Sequence, residues 1–152
     1  MRRGRRIGID AGRARVGVAV CDPDGLIATP VSTLTRDARV LDALAPVVGE
    51  HDPIEIVVGL PLSLDGSDTA STADARGLAD EIAGRFGLPV RLVDERMTTN
   101  LAQQALRASG RDARRQRPVV DQVAAVIILQ TALDAERASG RPAGVLVTPE
   151  GP

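Results

Sequence analysis

Arg5-Arg6-Ile7-Gly8-Ile9-Asp10-Ala11-Gly12-Arg13-Ala14-Arg15-Val16-Gly17-Val18-Ala19-Val20-Cys21 reads as two strands joined by a tight turn. Arg5 to Asp10 forms the first. Arg15 to Cys21 forms the second, with Val16, Val18 and Val20 alternating against Gly17 and Ala19. Ala11 to Ala14 make the hairpin turn, too short to hold a helix. Asp22-Pro23-Asp24-Gly25 is a second strong turn signal, and Ile27 to Leu34 reads as a third strand that Pro30 places near a sheet edge.

Beyond this meander the pattern alternates. Asp37 to Gly49 is helical, with Val40, Leu41, Leu44 and Val47 on one face, and Ile54 to Gly59 is a strand apolar enough for a sheet centre. After the loop Leu60 to Ser67, Ser67 or Thr69 caps a helix that runs to about Arg85 and is closed by Gly87. Val90 to Asp94 is a fifth strand. Thr98 or Thr99 caps a short helix through Ala108, Arg111 to Pro118 forms a basic linker, and Val119 to Ala138 is the last helix. The order βββαβαβαα predicts an α/β domain: a mixed five-stranded sheet, three strands antiparallel and the rest parallel, flanked by helices. A flavodoxin-like sheet needs a helix between its first two strands, so the order matches the ribonuclease H-like architecture instead. Residues 1–138 make that domain; the Pro/Gly-rich residues 139–152 read as a tail without fixed order.

Composition narrows the function. A chain of 152 residues carrying a net charge of −1 projects no global basic field. All 19 basic residues are Arg, eleven of them grouped at Arg2 to Arg15 and at Arg107 to Arg117, and Arg grips phosphate bidentately. Phe86 is the only aromatic, so stacking of bases on aromatic platforms is nearly excluded as a recognition mode. No apolar run reaches membrane-spanning length, the basic start leads straight into a strand rather than a signal-peptide core, and a single Cys21 cannot close an intrachain disulfide. These features predict a cytoplasmic protein with no membrane partner, in which Cys21 at most bridges two chains. One His and one Cys leave no material for a zinc finger or a Cys–His nucleophile. His51, at a helix end, is expected to meet terminal carbonyls.

Three carboxylates sit at the edges of apolar segments: Asp10 ends the first strand, Glu95 follows the fifth, and Asp121 opens the last helix. Converging acids are costly unless a divalent cation neutralises them, which points to Mg²⁺ or Mn²⁺ and phosphodiester chemistry. Each acid also has an ordinary reading. Asp10 suits an Asx turn, Asp121 suits a cap in the first helical turn, and Asp94 or Glu95 can pair with Arg91 or Arg96. Asp94 and Glu95 point to opposite sides of a strand, and periodicity does not say which one faces Asp10. Gly8, on the same face as Asp10, is expected to keep the approach to that carboxylate open. Ser63, Asp65 and Ser67 read as turn and cap chemistry.

Four segments carry a family resemblance: Gly8-Ile9-Asp10-Ala11-Gly12 with Arg15-Val16-Gly17-Val18-Ala19-Val20; Val57-Val58-Gly59-Leu60-Pro61-Leu62 with Asp65-Gly66; Asp94-Glu95-Arg96-Met97-Thr98-Thr99; and Val120-Asp121-Gln122-Val123-Ala124-Ala125. The chain resembles the YqgF/RuvX family, ribonuclease H-like bacterial proteins described both as Holliday junction resolvases and as the nuclease maturing the 5′ end of pre-16S rRNA. The resemblance implies a metal-dependent nuclease, a hydrolase of ester bonds. It aligns Asp10, Glu95 and Asp121, rather than Asp94, with the catalytic and metal-binding acids, sharing two Mg²⁺ or Mn²⁺ ions. It differs after Gly12, where a small hydroxylated residue and Lys give way to Arg13 and Ala14, and Asp134 lies too far along to act as a fourth acid. Arg13, Arg15, Arg96, Arg114, Arg115 and Arg117 are then the expected phosphate contacts. Pre-rRNA is the expected partner, branched DNA the alternative, and the latter calls for a homodimer. A nucleic-acid-binding scaffold without catalysis is the rival; a sugar-kinase-type ATPase is set aside because it needs two such lobes.

Overall fold

β1 (Arg6–Ala11) and β2 (Arg15–Cys21) pair antiparallel with Ile7 opposite Val20 and Asp10 opposite Gly17, so the expected hairpin is present in a computed structural model that describes residues 1–97 and 113–147. Within this, only the backbone of 113–119 and of Met97 is described. β3 (Ala28–Thr35) extends the meander along the outer edge of β2, with Pro30 on that edge strand and a register shift at Val18/Ala19. Then come α1 (Val40–His51), β4 (Glu55–Leu60), α2 (Ala70–Phe86), β5 (Val90–Asp94), a single 3₁₀ turn (Glu95–Met97), α3 (Ala113–Ser139) and β6 (Val145–Leu146). The sheet order is β3-β2-β1-β4-β5-β6; β1, β4 and β5 are parallel, and β6 returns antiparallel to β5.

The helices start and stop for local reasons. Thr69 caps α2: its hydroxyl accepts from the Thr72 N–H while Thr72 reciprocates to the Thr69 N–H, and Gly87 closes the helix in the left-handed conformation. On α1, Val40 and Leu44 are buried and Leu41 and Val47 pack beside them, as the periodicity predicts. His51 ends α1 facing Arg5, 3.4 Å from its guanidinium, rather than the terminal carbonyls.

Three expectations change. α3 begins at Ala113, so its backbone takes in most of the expected linker, including Pro118. The tail contributes β6, a sixth strand, whose Leu146 and Val145 pair with Arg91 and Leu92. Cys21 is buried, its sulfur accepting from the Arg6 N–H at 3.2 Å, which removes it from any bridge between chains. The expected helix at Thr98 to Ala108 lies outside the described residues.

The sheet separates two unlike cores. One face carries Ile7, Ile9, Val16, Val18, Ile56 and Val58 against α1 and α2. The other carries smaller residues, among them Gly8, Gly17, Ala19, Val57 and Gly59, beneath α3, whose Ala125, Ile128, Leu129, Ala132 and Leu133 follow helical spacing. Small strand residues let the helix lie close. A Cβ at Gly8 would stand 2.6 Å from the Leu129 Cβ and 2.9 Å from the Ala125 carbonyl, so Gly8 seats α3 rather than clearing a path to Asp10. No described helix is long and apolar enough to cross a membrane.

Far from Asp10, an ion-pair network clasps the start of the chain to α3. Glu136 accepts from Arg6 at 2.9 Å and from Arg2, while Glu55 accepts from Arg2 at 2.9 Å and Arg91 at 3.2 Å. Arg6 is 1% and Glu136 4% exposed, so breaking one partner strands a buried charge. Burial alone would raise Glu136, but the hydrogen bonds and charge of Arg2 and the charge of Arg6 hold it below its ordinary value of 4.5. A lowered carboxylate stabilises the fold above its ordinary pKa and loses that contribution as pH falls through the lowered value. Glu136→Gln is expected to cost about 1–3 kcal/mol at pH 7 and less at an acid pH well below the ordinary 4.5. Urea midpoints at the two pH values check it; a gap that does not shrink in acid contradicts the clasp.

Candidate active site

Asp10 stands near the end of β1, on the face that α3 covers, and each neighbouring acid is brought to it by a glycine. Gly17 lies opposite Asp10 on β2, and a Cβ there would overlap the Asp121 carbonyl oxygen and lie 2.5 Å from its carbon. The α3 turn that carries Asp121 thus rests directly on the strand beside Asp10. Gly59, on β4 between β1 and β5, does the same for Glu95: a Cβ there would meet the Glu95 Cγ at 3.0 Å and the Ile128 side chain at 2.5 Å. Glu95 therefore folds back from the end of β5 over β4, towards β1 and beneath α3.

Electrostatics records the convergence. Burial, then the charges of Glu95 and Asp121, push Asp10 up to about 7. Burial, then the charge of Asp94, raises Glu95 as well. Among the described residues no donor bonds the Asp10 carboxyl. Asp121 is held by Arg15, whose Nε lies 2.8 Å from Oδ2. As they stand, no three acids, His or Cys among the described residues form a ready ion cage. Three like charges without a cation repel, and Arg15 occupies one of them.

The remaining expectations sort clearly. Asp94 turns away: the Arg96 guanidinium lies 2.6 Å from it, the Arg96 N–H donates to it at 2.9 Å, and Arg96 holds its carboxyl below the usual range. Arg96 is exposed beside Gly66, and Arg13 is exposed on the β1–β2 turn. The side chains of Arg114, Arg115 and Arg117 lie outside the described residues. Asp121 sits in the third turn of α3, not the first, so capping does not account for it. The loop Ser63 to Ser67 is self-contained, with Ser63 and Ser67 hydroxyls donating to Asp65 and holding it low. Gly17 and Gly59 are the site-building residues that the strand reading passed over. Their signal was present in the alternation of small residues with valines.

A family model described as RuvX: Holliday junction resolvase matches residues 4–135. The chain belongs to the RuvX family. That RuvX match spans Asp10, Arg15, Glu95 and Asp121 and stops just short of Glu136. A relative from Clavibacter michiganensis subsp. michiganensis, named "Putative pre-16S rRNA nuclease", is 59% identical over 151 residues, covering 97% of this chain and 93% of that protein. One of the same name from Streptomyces coelicolor is 56% identical over 147 residues, covering 95% and 88%. Among solved structures, T. thermophilus RuvC in complex with Holliday junction substrate superposes with a TM-score of 0.60 at 19% identity, covering 91% of this chain and 99% of that one. This RuvX chain thus has the ribonuclease H-like fold, with six strands in its sheet among the described residues.

Proposed function

We propose that this chain is a divalent-metal-dependent nuclease that matures the 5′ end of pre-16S rRNA in the cytoplasm, its catalytic domain extending past residue 138 to take in β6. The observation that carries the chemistry is the Asp10 carboxyl, bonded by no donor among the described residues and raised to about 7 by burial and by two further acids on separate elements. Carboxylate oxygens are the donors that hard cations take, and a cation would offset both the burial of the Asp10 charge and the repulsion from Glu95 and Asp121 that adds to it. Asp10, Glu95 and Asp121 would hold Mg²⁺ or Mn²⁺, two ions in the fullest form. When bound, such an ion lowers the pKa of an attacking water and offsets charge on the phosphate.

The chain's own residues supply the rest. Asp10 is fixed by β1, Asp121 by the α3 turn seated on Gly17, and Glu95 by the 3₁₀ turn after β5, packed against Gly59. Exposed Arg13 and Arg96 flank the acids and suit backbone phosphates, as do Arg114, Arg115 and Arg117 by sequence. Replacing those last three with Ala is expected to weaken RNA binding and reduce its salt slope by about two, at roughly 0.7 per lost contact on a single strand. Binding isotherms at several salt concentrations check it; an unchanged slope removes these arginines from the interface.

Pre-rRNA as substrate is supported by the names of the relatives at 56–59% identity. A four-way junction, cut by a symmetric dimer, is favoured by the family's description. Depletion followed by mapping of 16S rRNA 5′ ends, beside cleavage of a pre-16S leader and a four-way junction with Mn²⁺, separates the two. Normal 5′ ends and cleavage of the junction alone would reverse the assignment.

A further inference from the structure

Arg15 is bonded to one acid of the trio, and the bond is unlike the chain's sealed ion pairs. Its Nε lies 2.8 Å from Asp121 Oδ2, with side chains 33% and 18% exposed, against 1% and 5% for Arg6 and Glu136. The pair is therefore open enough to exchange. Arg15 is the first residue of β2, two positions from Gly17 and so on the face that α3 covers. Its backbone is anchored beside the acids by β2, and its side chain is one-third exposed.

A cation drawn to Asp121 competes with the guanidinium, because both seek the lone pairs of Oδ2 and the charge of Arg15 repels a divalent ion at that carboxylate. The displaced guanidinium cannot travel far from its strand, and a phosphate held at the acids would lie within its reach. With Arg15 counted, the three acids carry two net formal negative charges; with Arg15 withdrawn they carry three, a stronger sink for a divalent ion.

We propose that Arg15 is a resident counter-ion: it holds Asp121 in the metal-free protein, yields it to the divalent cation, and then takes a phosphate oxygen of the nucleic acid. This rests on the metal-nuclease reading. Arg15 and metal compete for Asp121, whereas metal and substrate cooperate, since a phosphate that draws Arg15 away frees the oxygen the metal needs.

The test is Mn²⁺ titration of the full chain by calorimetry and thermal shift, without nucleic acid, for wild type, Arg15→Gln and Arg15→Lys. Loss of a half-open ion pair is expected to tighten Mn²⁺ binding about threefold to fivefold in Arg15→Gln. Arg15→Lys, which keeps the charge, should stay near wild type. In Ca²⁺, binding of a single-stranded pre-16S leader oligonucleotide should weaken in Arg15→Gln, with a salt slope lower by about 0.7. Equal or weaker Mn²⁺ binding in Arg15→Gln would overturn the proposal and make Arg15 a prop for Asp121. A wild type that takes up no Mn²⁺ would defeat the metal reading itself, and is seen before any variant is compared.

Discussion

Asp10→Asn is expected to abolish Mn²⁺-dependent cleavage, a loss of about a thousandfold or more, while raising the melting temperature of the metal-free protein. The two effects have one cause. Asp10 is held at about 7 by burial and by the charges of Glu95 and Asp121, so the folded state binds its proton more tightly than the unfolded chain does. Stability contributed by the protonated form is complete at low pH. It is lost as pH rises from the ordinary carboxylate range to about 7, and beyond that the ionised Asp10 is a constant burden. Asn removes that burden, by about 1–3 kcal/mol above neutrality after allowing for partial solvent access, and gains almost nothing near pH 4. A functional acid cluster of this kind trades stability for chemistry.

The same shift dictates how metal acts. Binding to Asp10 must expel its proton when the pH is below about 7, so the Mn²⁺-induced rise in melting temperature should shrink as pH falls from 8 to 6. In Asp10→Asn that rise should vanish at every pH. Melting curves with and without Mn²⁺, run beside a cleavage assay, read both consequences. A variant that still cleaves, or one that is less stable at pH 8 yet unchanged at pH 4, would mean that Asp10 is a structural acid.

Much of this was legible in the residues, and the gaps have physical reasons. The hairpin at Ala11 to Ala14 and the strand at Val90 to Asp94 lie where turn chemistry and apolar runs place them. The Asp94/Glu95 choice was not legible from alternation, because Glu95 leaves the strand for a 3₁₀ turn where alternation no longer applies. Pro118 marked the start of α3 too late. A proline near a helix start forfeits one backbone bond, and Ala113, Arg114, Arg115, Gln116 and Arg117 before it are all strong helix formers. β6 has two residues, too few for any periodicity, and its place is set by its partner β5. Arg15 was read as a phosphate contact; its bond to Asp121 joins residues 106 positions apart and no local pattern reveals it.

Gly17→Ala is expected to do from the fold side what Asp10→Asn does from the chemical side. The added Cβ would overlap the Asp121 carbonyl oxygen, lie 2.5 Å from the carbonyl carbon and 3.2 Å from the Asp121 Cβ. Two of those three atoms are backbone, so no side-chain rotamer relieves the clash and either α3 or β2 must move. Overpacking of this kind costs about 3 kcal/mol or more where the backbone cannot yield. The displacement falls on the turn that carries Asp121, and a shift of about 1 Å at reacting groups costs on the order of a hundredfold in rate. Gly77→Ala and Gly84→Ala supply the control. Both sit in α2 with nothing within 4 Å of the added carbon, and each should leave cleavage intact while adding up to about 1 kcal/mol of stability. Urea denaturation and Mn²⁺-dependent cleavage of the three variants separate a packing contact from a general intolerance of glycine replacement. Gly17→Ala with wild-type stability and rate would mean that α3 is not seated on the strand beside Asp10, and that the acids have no fixed spacing to lose.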